Sequence, residues 1–164
     1  VEKDGLVRIL PRRGAQVSNL TATEVKEIFD IRAMLNGLRD RLIAEDPDRG
    51  PLVAALEPEV AKLEKFAARM KPDDYVNVVA AINRMLTESS KSSRLKSILG
   101  SLALQTLRYT QIGLSTPERR QQSLKHWQAL VRALKAGDGE KAEKIARQRV
   151  TDSRDAAIRA LQKS

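Results

Sequence analysis

Apolar residues recur every three or four positions along most of this chain. From about Thr23 to Ala44 they fall at Ile28, Ile31, Leu35, Leu38 and Leu42. That is the spacing of one helical stripe, so these five positions are expected to be buried. The same period predicts a second helix over about 51–70, with Pro58 as a kink or restart. A third opens at Pro72-Asp73-Asp74 and reaches about Glu88, and a fourth runs from about Arg94 to Gly113. The fifth starts at Ser115-Thr116-Pro117-Glu118, where a cap, a proline and an acid suit a helix start. It continues to about Lys135, and a sixth ends near Leu161. Thr21 or Thr23 can cap the first helix. The breaks are short, so sequential helices are expected to be antiparallel and to share one interior.

The period is different at the start, in "GLVRILPRRGAQVSNL". Leu6–Leu10 and Ala15–Val17 are extended runs, and Pro11-Arg12-Arg13-Gly14 between them has turn chemistry. A short β-hairpin is expected, followed by a linker at Asn19-Leu20-Thr21.

Charge adds to this picture. The net charge of the 164 residues is +9. Residues 1–20 carry +2, residues 21–115 carry +1 and residues 116–164 carry +6. A basic balance attracts phosphate polymers, but charges spread through helices also serve solubility. The absence of Cys excludes disulfides and thiolate metal sites and favours a cytosolic setting. No signal-peptide pattern opens the chain. The longest uncharged run, 97–107, is far short of the roughly 20 residues of a membrane helix. A soluble, cytoplasmic protein is expected.

Catalytic signatures are missing: no phosphate loop, no dinucleotide fingerprint, no nucleophile elbow. One His and no Cys supply little acid–base or thiol chemistry. The chain is therefore not expected to be an enzyme. The informative residues are polar ones on inward stripes: Arg32 and Asn36 in the first helix, Asn83 in the third and Arg149 in the sixth. Trp127 lies on the stripe of the fifth helix, with His126 beside it. A buried Arg must be paired or must bind an anion, so Arg32, Arg149, Asn83 and Trp127 converging from four helices would suit a small anionic ligand. Plainer readings stand beside this one. Arg32 can reach the rim or a structural carboxylate, Arg149 can snorkel outward, and Asn83 can cap a backbone group. Trp127 can be plain core and His126 a surface residue.

The stretches "GLVRILPRRGAQV", "EVKEIFDIRAMLNGLRDRLIAE", "INRMLTESSKSSRLKSIL" and "HWQALVRALKAGDGEKAEKIARQRV" together resemble a known family. The first is similar to the wing of the winged helix-turn-helix in GntR-type bacterial transcriptional regulators. The rest is similar to the effector domain of their FadR subfamily, called FCD. The resemblance implies an all-α antiparallel bundle of six or seven helices over residues 21–164, which dimerises and encloses a ligand cavity. Residues 1–20 would be the wing hairpin and linker of a DNA-binding domain whose bulk precedes Val1. Arg8, Arg12, Arg13 and Gly14 would meet operator DNA, the tip at the minor groove.

Many members of that family hold a divalent metal on one Asp and three His. By motif those positions fall on Val79, Asn83, Trp127 and Arg149, and none keeps a good ligand. No metal is therefore expected. Arg149 would bring a fixed positive charge to the same place, and Arg32 matches an Arg that such proteins point into the cavity. The implied function is a ligand-responsive regulator whose homodimer changes its hold on operator DNA when a small anion, a carboxylate, binds Arg32, Asn36, Asn83, Trp127 and Arg149. The alternative is a helical dimerisation or interaction module with a filled core and no effector. Neither the effector, the operator nor the sign of regulation is written in the sequence.

Overall fold

The computed structural model describes residues 7–10, 14–17, 19–69 and 71–163. Two four-residue strands, β1 (Val7–Leu10) and β2 (Gly14–Val17), pair antiparallel, with Val7 opposite Val17 and Leu10 opposite Gly14. Pro11, Arg12 and Arg13 lie outside the described residues.

Six helices follow: α1 (Ala22–Glu45), α2 (Gly50–Phe66), α3 (Asp73–Glu88), α4 (Ser93–Gly113), α5 (Pro117–Ala136) and α6 (Gly139–Gln162). Their starts are set by side chains that accept otherwise unpaired backbone N–H groups. Thr21 accepts from Glu24, Ser92 from Leu95, Thr116 from Arg119 and Asp138 from Lys141. α5 ends on Gly137, whose φ of 72° is left-handed. Arg49 seals that end by donating to Leu134 O and Lys135 O. α2 runs unbroken through Pro58 and stops at Phe66, short of the expected 70. Its last turns face the start of α5, where the guanidinium of Arg120 donates to Ala67 O, Arg69 O and Leu114 O. One buried cation thus closes the C-terminal ends of α2 and α4, as the carbonyl ends of helices favour.

The α1 stripe is a correction to the sequence reading. Ile31, Leu38 and Leu42 are 54%, 42% and 47% exposed, and Leu35 and Ile28 are only half-buried. The buried face carries Val25, Phe29, Arg32, Ala33, Asn36, Gly37, Arg39, Asp40, Ile43 and Ala44. α1 makes its most extensive interface with α6. That contact is close because small residues meet there. A Cβ on Gly37 would come within 3.0 Å of Arg147, and Ala142 and Ala146 are fully buried opposite. Long aliphatic side chains do not fit this seam, so they face outward.

Two apolar clusters result. One joins the C-terminal end of α1 with α2, α3, α5 and the start of α6, and contains Leu63, Tyr75, Ile82, Trp127 and Leu130. The other joins Val25, Phe29 and Ala33 of α1 with Tyr109 of α4 and Val150 and Ala157 of α6. Along α1 the buried side chains between these clusters are mainly polar: Arg32, Asn36, Arg39 and Asp40. The linker is tied down where it enters the bundle. The Leu20 N–H donates to the Tyr109 hydroxyl at 2.7 Å, and Arg108 donates to the Asn19 side-chain oxygen.

Candidate functional site

The polar layer borders a cavity of about 460 Å³ between α1, α3 and α4. Arg32, Asn36 and Arg39 line it from α1, Val79, Asn83 and Thr87 from α3, and Leu99, Leu104 and Thr110 from α4. Arg84 and Lys96 add positive charge to the wall, and Glu88 adds one negative charge. The wall is largely apolar with a few convergent polar groups, the usual make-up of a small-molecule site.

Each buried polar side chain has a definite position. Arg32 donates through Nη1 to the hydroxyls of Thr106 at 3.1 Å and Thr110 at 3.2 Å. Thr106 can accept because its own proton goes to Leu102 O, one turn back on α4. Asn36 Nδ2 donates to Arg32 O at 2.8 Å, which fixes its amide against α1. Arg39 donates through Nε to Asp40 Oδ1 at 2.7 Å and through Nη1 to Thr87. Its Nη2 and the second oxygen of Asp40 have no hydrogen-bond partner among the described residues, and neither does Asn83 Oδ1.

Arg149 and Trp127 are buried as well but do not line this cavity. The guanidinium carbon stands 4.0 Å from the centre of the indole ring, a cation–π arrangement. Arg149 Nε and Nη2 and Trp127 Nε1 have no hydrogen-bond partner among the described residues. Burial draws the Arg149 pKa down to about 9, with Asp40 opposing and the charges of Arg39 and Arg32 adding to the fall. Burial, and then the charge of Arg39, brings Arg32 to about 10. Both guanidiniums remain charged at neutral pH. Burial pushes the Tyr75 hydroxyl up to about 12, so it stays neutral; it donates to Arg120 O or to Ser123.

Of the residues expected from sequence, the structure therefore brings Arg32, Asn36 and Asn83 to one cavity and stacks Arg149 on Trp127 outside its lining. Val79 lines the same cavity as an apolar side chain. His126 is elsewhere, on α5, with Nε2 at 2.8 Å from Asp152 Oδ2; Gln122 and Gln148 hold the same carboxylate. Among the described residues no three His, Asp or Glu side chains are grouped to share a metal ion. Of the expected DNA-contacting residues, Arg8 pairs with Gln16 and Gly14 with Leu10, while Arg12 and Arg13 lie outside the described residues.

Sequence reasoning missed Arg39, Asp40, Thr106 and Thr110. The first two were accessible: Arg39 is seven residues, two turns, from Arg32 on the same face. The threonines gave no signal of their own.

Comparison with known proteins gives a consistent result. The FCD domain family matches residues 27–152. A Bacillus subtilis strain 168 protein, described as the uncharacterized HTH-type transcriptional regulator YdhC, is 30% identical over 100 residues. The match covers 60% of this chain and 44% of that protein, so the chain spans less than half the length of this curated relative. The fold matches E. coli McbR/YncC with a TM-score of 0.80 at 17% identity, covering 97% of this chain and 78% of that one. It matches Streptococcus agalactiae GntR with a TM-score of 0.65 at 14% identity, covering 92% and 75%. At these identities the two structures speak to the fold alone. More than half of the sequence lies within the family match, and the chain belongs to the FCD domain family.

Proposed function

We propose that this chain is the effector-binding and dimerisation part of a GntR-type, ligand-responsive transcriptional regulator, working in the bacterial cytoplasm. The effector is a small anion bearing a carboxylate. The observation that carries this reading is Arg32, buried beside a cavity of about 460 Å³, where its hydrogen-bond partners among the described residues are two threonine hydroxyls and the Phe29 ring centre lies 5.6 Å from its guanidinium carbon. A guanidinium so placed is stabilised by an anion far more than by neutral hydroxyls. Asn36 and Asn83 orient the ligand from the wall, Arg149 supplies positive charge from outside the cavity lining, and Trp127 holds Arg149 in place. The open cavity favours this reading over the alternative of a filled interaction module.

The site works without a metal in this proposal. The four positions that would hold one carry Val79, Asn83, Trp127 and Arg149, and a further cation beside Arg149 and Arg32 would be repelled. The β1–β2 pair is the wing of a winged helix, with Arg8, Arg12, Arg13 and Gly14 facing operator DNA. Homodimers form through α1 and α4. Every exposed large hydrophobic side chain among the described residues lies on these two helices, namely Ile31, Met34, Leu38, Leu42, Ile98, Leu104 and Leu107, and such concentration marks an interface. Ligand binding then shifts the dimer between arrangements of unequal DNA affinity.

Calorimetric titration with a panel of small carboxylates tests the effector. Binding is expected for the parent and is expected to weaken by roughly 30-fold in Arg32→Ala, the loss of one charge-assisted contact. A panel without any binder, or an Arg32→Ala variant that binds as the parent does, would sink the reading. Elemental analysis finding one tightly held divalent ion per chain would overturn the metal-free site.

A further inference from the structure

The wall around Arg32 is mainly aliphatic. Val76, Val79 and Ala80 border the cavity from α3, and Leu99, Ala103 and Leu107 border it from α4. Val76, Val79 and Leu99 are buried core residues, so the core itself forms much of this surface. Charge within the wall is concentrated at one point. Of its two buried guanidiniums, Arg39 is answered by Asp40 at 2.7 Å, whereas Arg32 meets two threonine hydroxyls and no carboxylate among the described residues. Arg84, Glu88 and Lys96 also border the cavity, but all three are exposed and keep their water.

The uncharged polar groups of the wall are largely committed to the protein. Asn36 Nδ2 donates to Arg32 O, Thr110 accepts from Arg32, and Thr87 accepts from Arg39. A ligand hydroxyl or second charge laid against Val76, Val79 or Leu99 would lose its water and gain no partner there, which is costly. An apolar group in the same place gains from leaving water. The space of about 460 Å³ falls in the range that accommodates drug-sized molecules, so it has room for a body beyond the anionic group.

We infer that the ligand is an amphiphilic monocarboxylate. Its carboxylate sits on Arg32, and an aliphatic or aromatic body lies between Val76, Val79 and Ala80 on one side and Leu99, Ala103 and Leu107 on the other. The inference rests on the effector reading above and specifies its substrate class. It sets the site against sugar acids and dicarboxylates, whose added hydroxyls or second charge find no answering group along the aliphatic wall.

The test is calorimetry of the whole chain with butyrate, hexanoate and octanoate, and with gluconate and succinate as polar counterparts. Affinity is expected to rise roughly fourfold per methylene along the alkanoates, the value of burying one CH₂. The heat capacity change of binding is expected to become more negative with chain length. Hexanoate is expected to bind on the order of 30-fold more tightly than gluconate, the cost of burying unpaired hydroxyls. Ala80→Leu and Ala103→Leu place a good helix former in the apolar wall and fill space there. In each, the affinity ratio of octanoate to butyrate is expected to fall at least about tenfold, and circular dichroism checks that the variant is folded. Equal affinity along the alkanoates, tighter binding of gluconate or succinate than of hexanoate, or a ratio that neither leucine variant alters would overturn the apolar body and leave the effector reading standing. A complete lack of carboxylate binding would remove both.

Discussion

Arg120 and Arg149 show how one residue type takes two opposite roles in the same interior. Arg120 is fully buried, and its guanidinium is spent on three backbone carbonyls. Arg120→Met would leave those carbonyls buried and unpaired, and is expected to cost about 3 kcal/mol. Arg149 has a ring face and, among the described residues, no carbonyl partner. Arg149→Met removes an uncompensated charge, and is expected to leave ligand-free stability unchanged or to raise it. Urea denaturation of both variants measures the contrast; equal losses would mean that Arg149 has a structural partner after all. Neither role was fully visible in the sequence. Arg119-Arg120 sits in the first turn of a helix and reads as two solvent charges. What buries Arg120 is the meeting of α5 with two other chain segments, at Ala67 and Arg69 and at Leu114, and no local pattern encodes that meeting. Arg149 was legible because it interrupts a run of alanines on one helical face.

The elements themselves were legible to within a few residues, because capping and stop chemistry is local. Thr21, Ser92, Thr116 and Asp138 each cap a helix through their own side chains, and Gly137 closes α5. Gly137→Ala is expected to cost at least about 1 kcal/mol, since its φ is positive. The new Cβ would also meet Arg49 Nη2 at 2.8 Å, so the seal on α5 would be disturbed as well. Thermal denaturation checks this, and an unchanged midpoint would contradict it. The rotation of α1 was not legible. Its strongest apolar period, through Ile31, Leu38 and Leu42, is real, but the bundle does not bury it. Periodicity reports that a helix has an apolar face; it does not report whether its own chain covers that face. The buried face carries Arg32 and Asn36 together with Arg39 and Ile43.

For the whole molecule, the exposed faces of α1 and α4 predict assembly. The chain is expected to sediment as a dimer, and Leu38→Glu together with Leu42→Glu is expected to yield a helical monomer, because charge on a paired apolar surface cannot be desolvated cheaply. Sedimentation equilibrium decides; a double variant that remains dimeric would place the interface elsewhere. The division of the interior into two apolar clusters with a charged layer between them also has a cost. The layer contributes little hydrophobic stabilisation, and the bundle accepts it at the level where the cavity opens.

The tie between Leu20 and Tyr109 has a practical consequence. Leu20 precedes α1 and belongs to no helix, so its amide would ordinarily exchange with solvent as a loop amide does. Here the Tyr109 hydroxyl holds that amide at 2.7 Å, and Tyr109 stands on α4 between Thr106 and Thr110, the two residues under Arg32. The Leu20 amide is therefore a built-in clock for α4. Its deuterium uptake is expected to be slow in the parent and at least about tenfold faster in Tyr109→Phe, and it can be read without labelling the cavity at all.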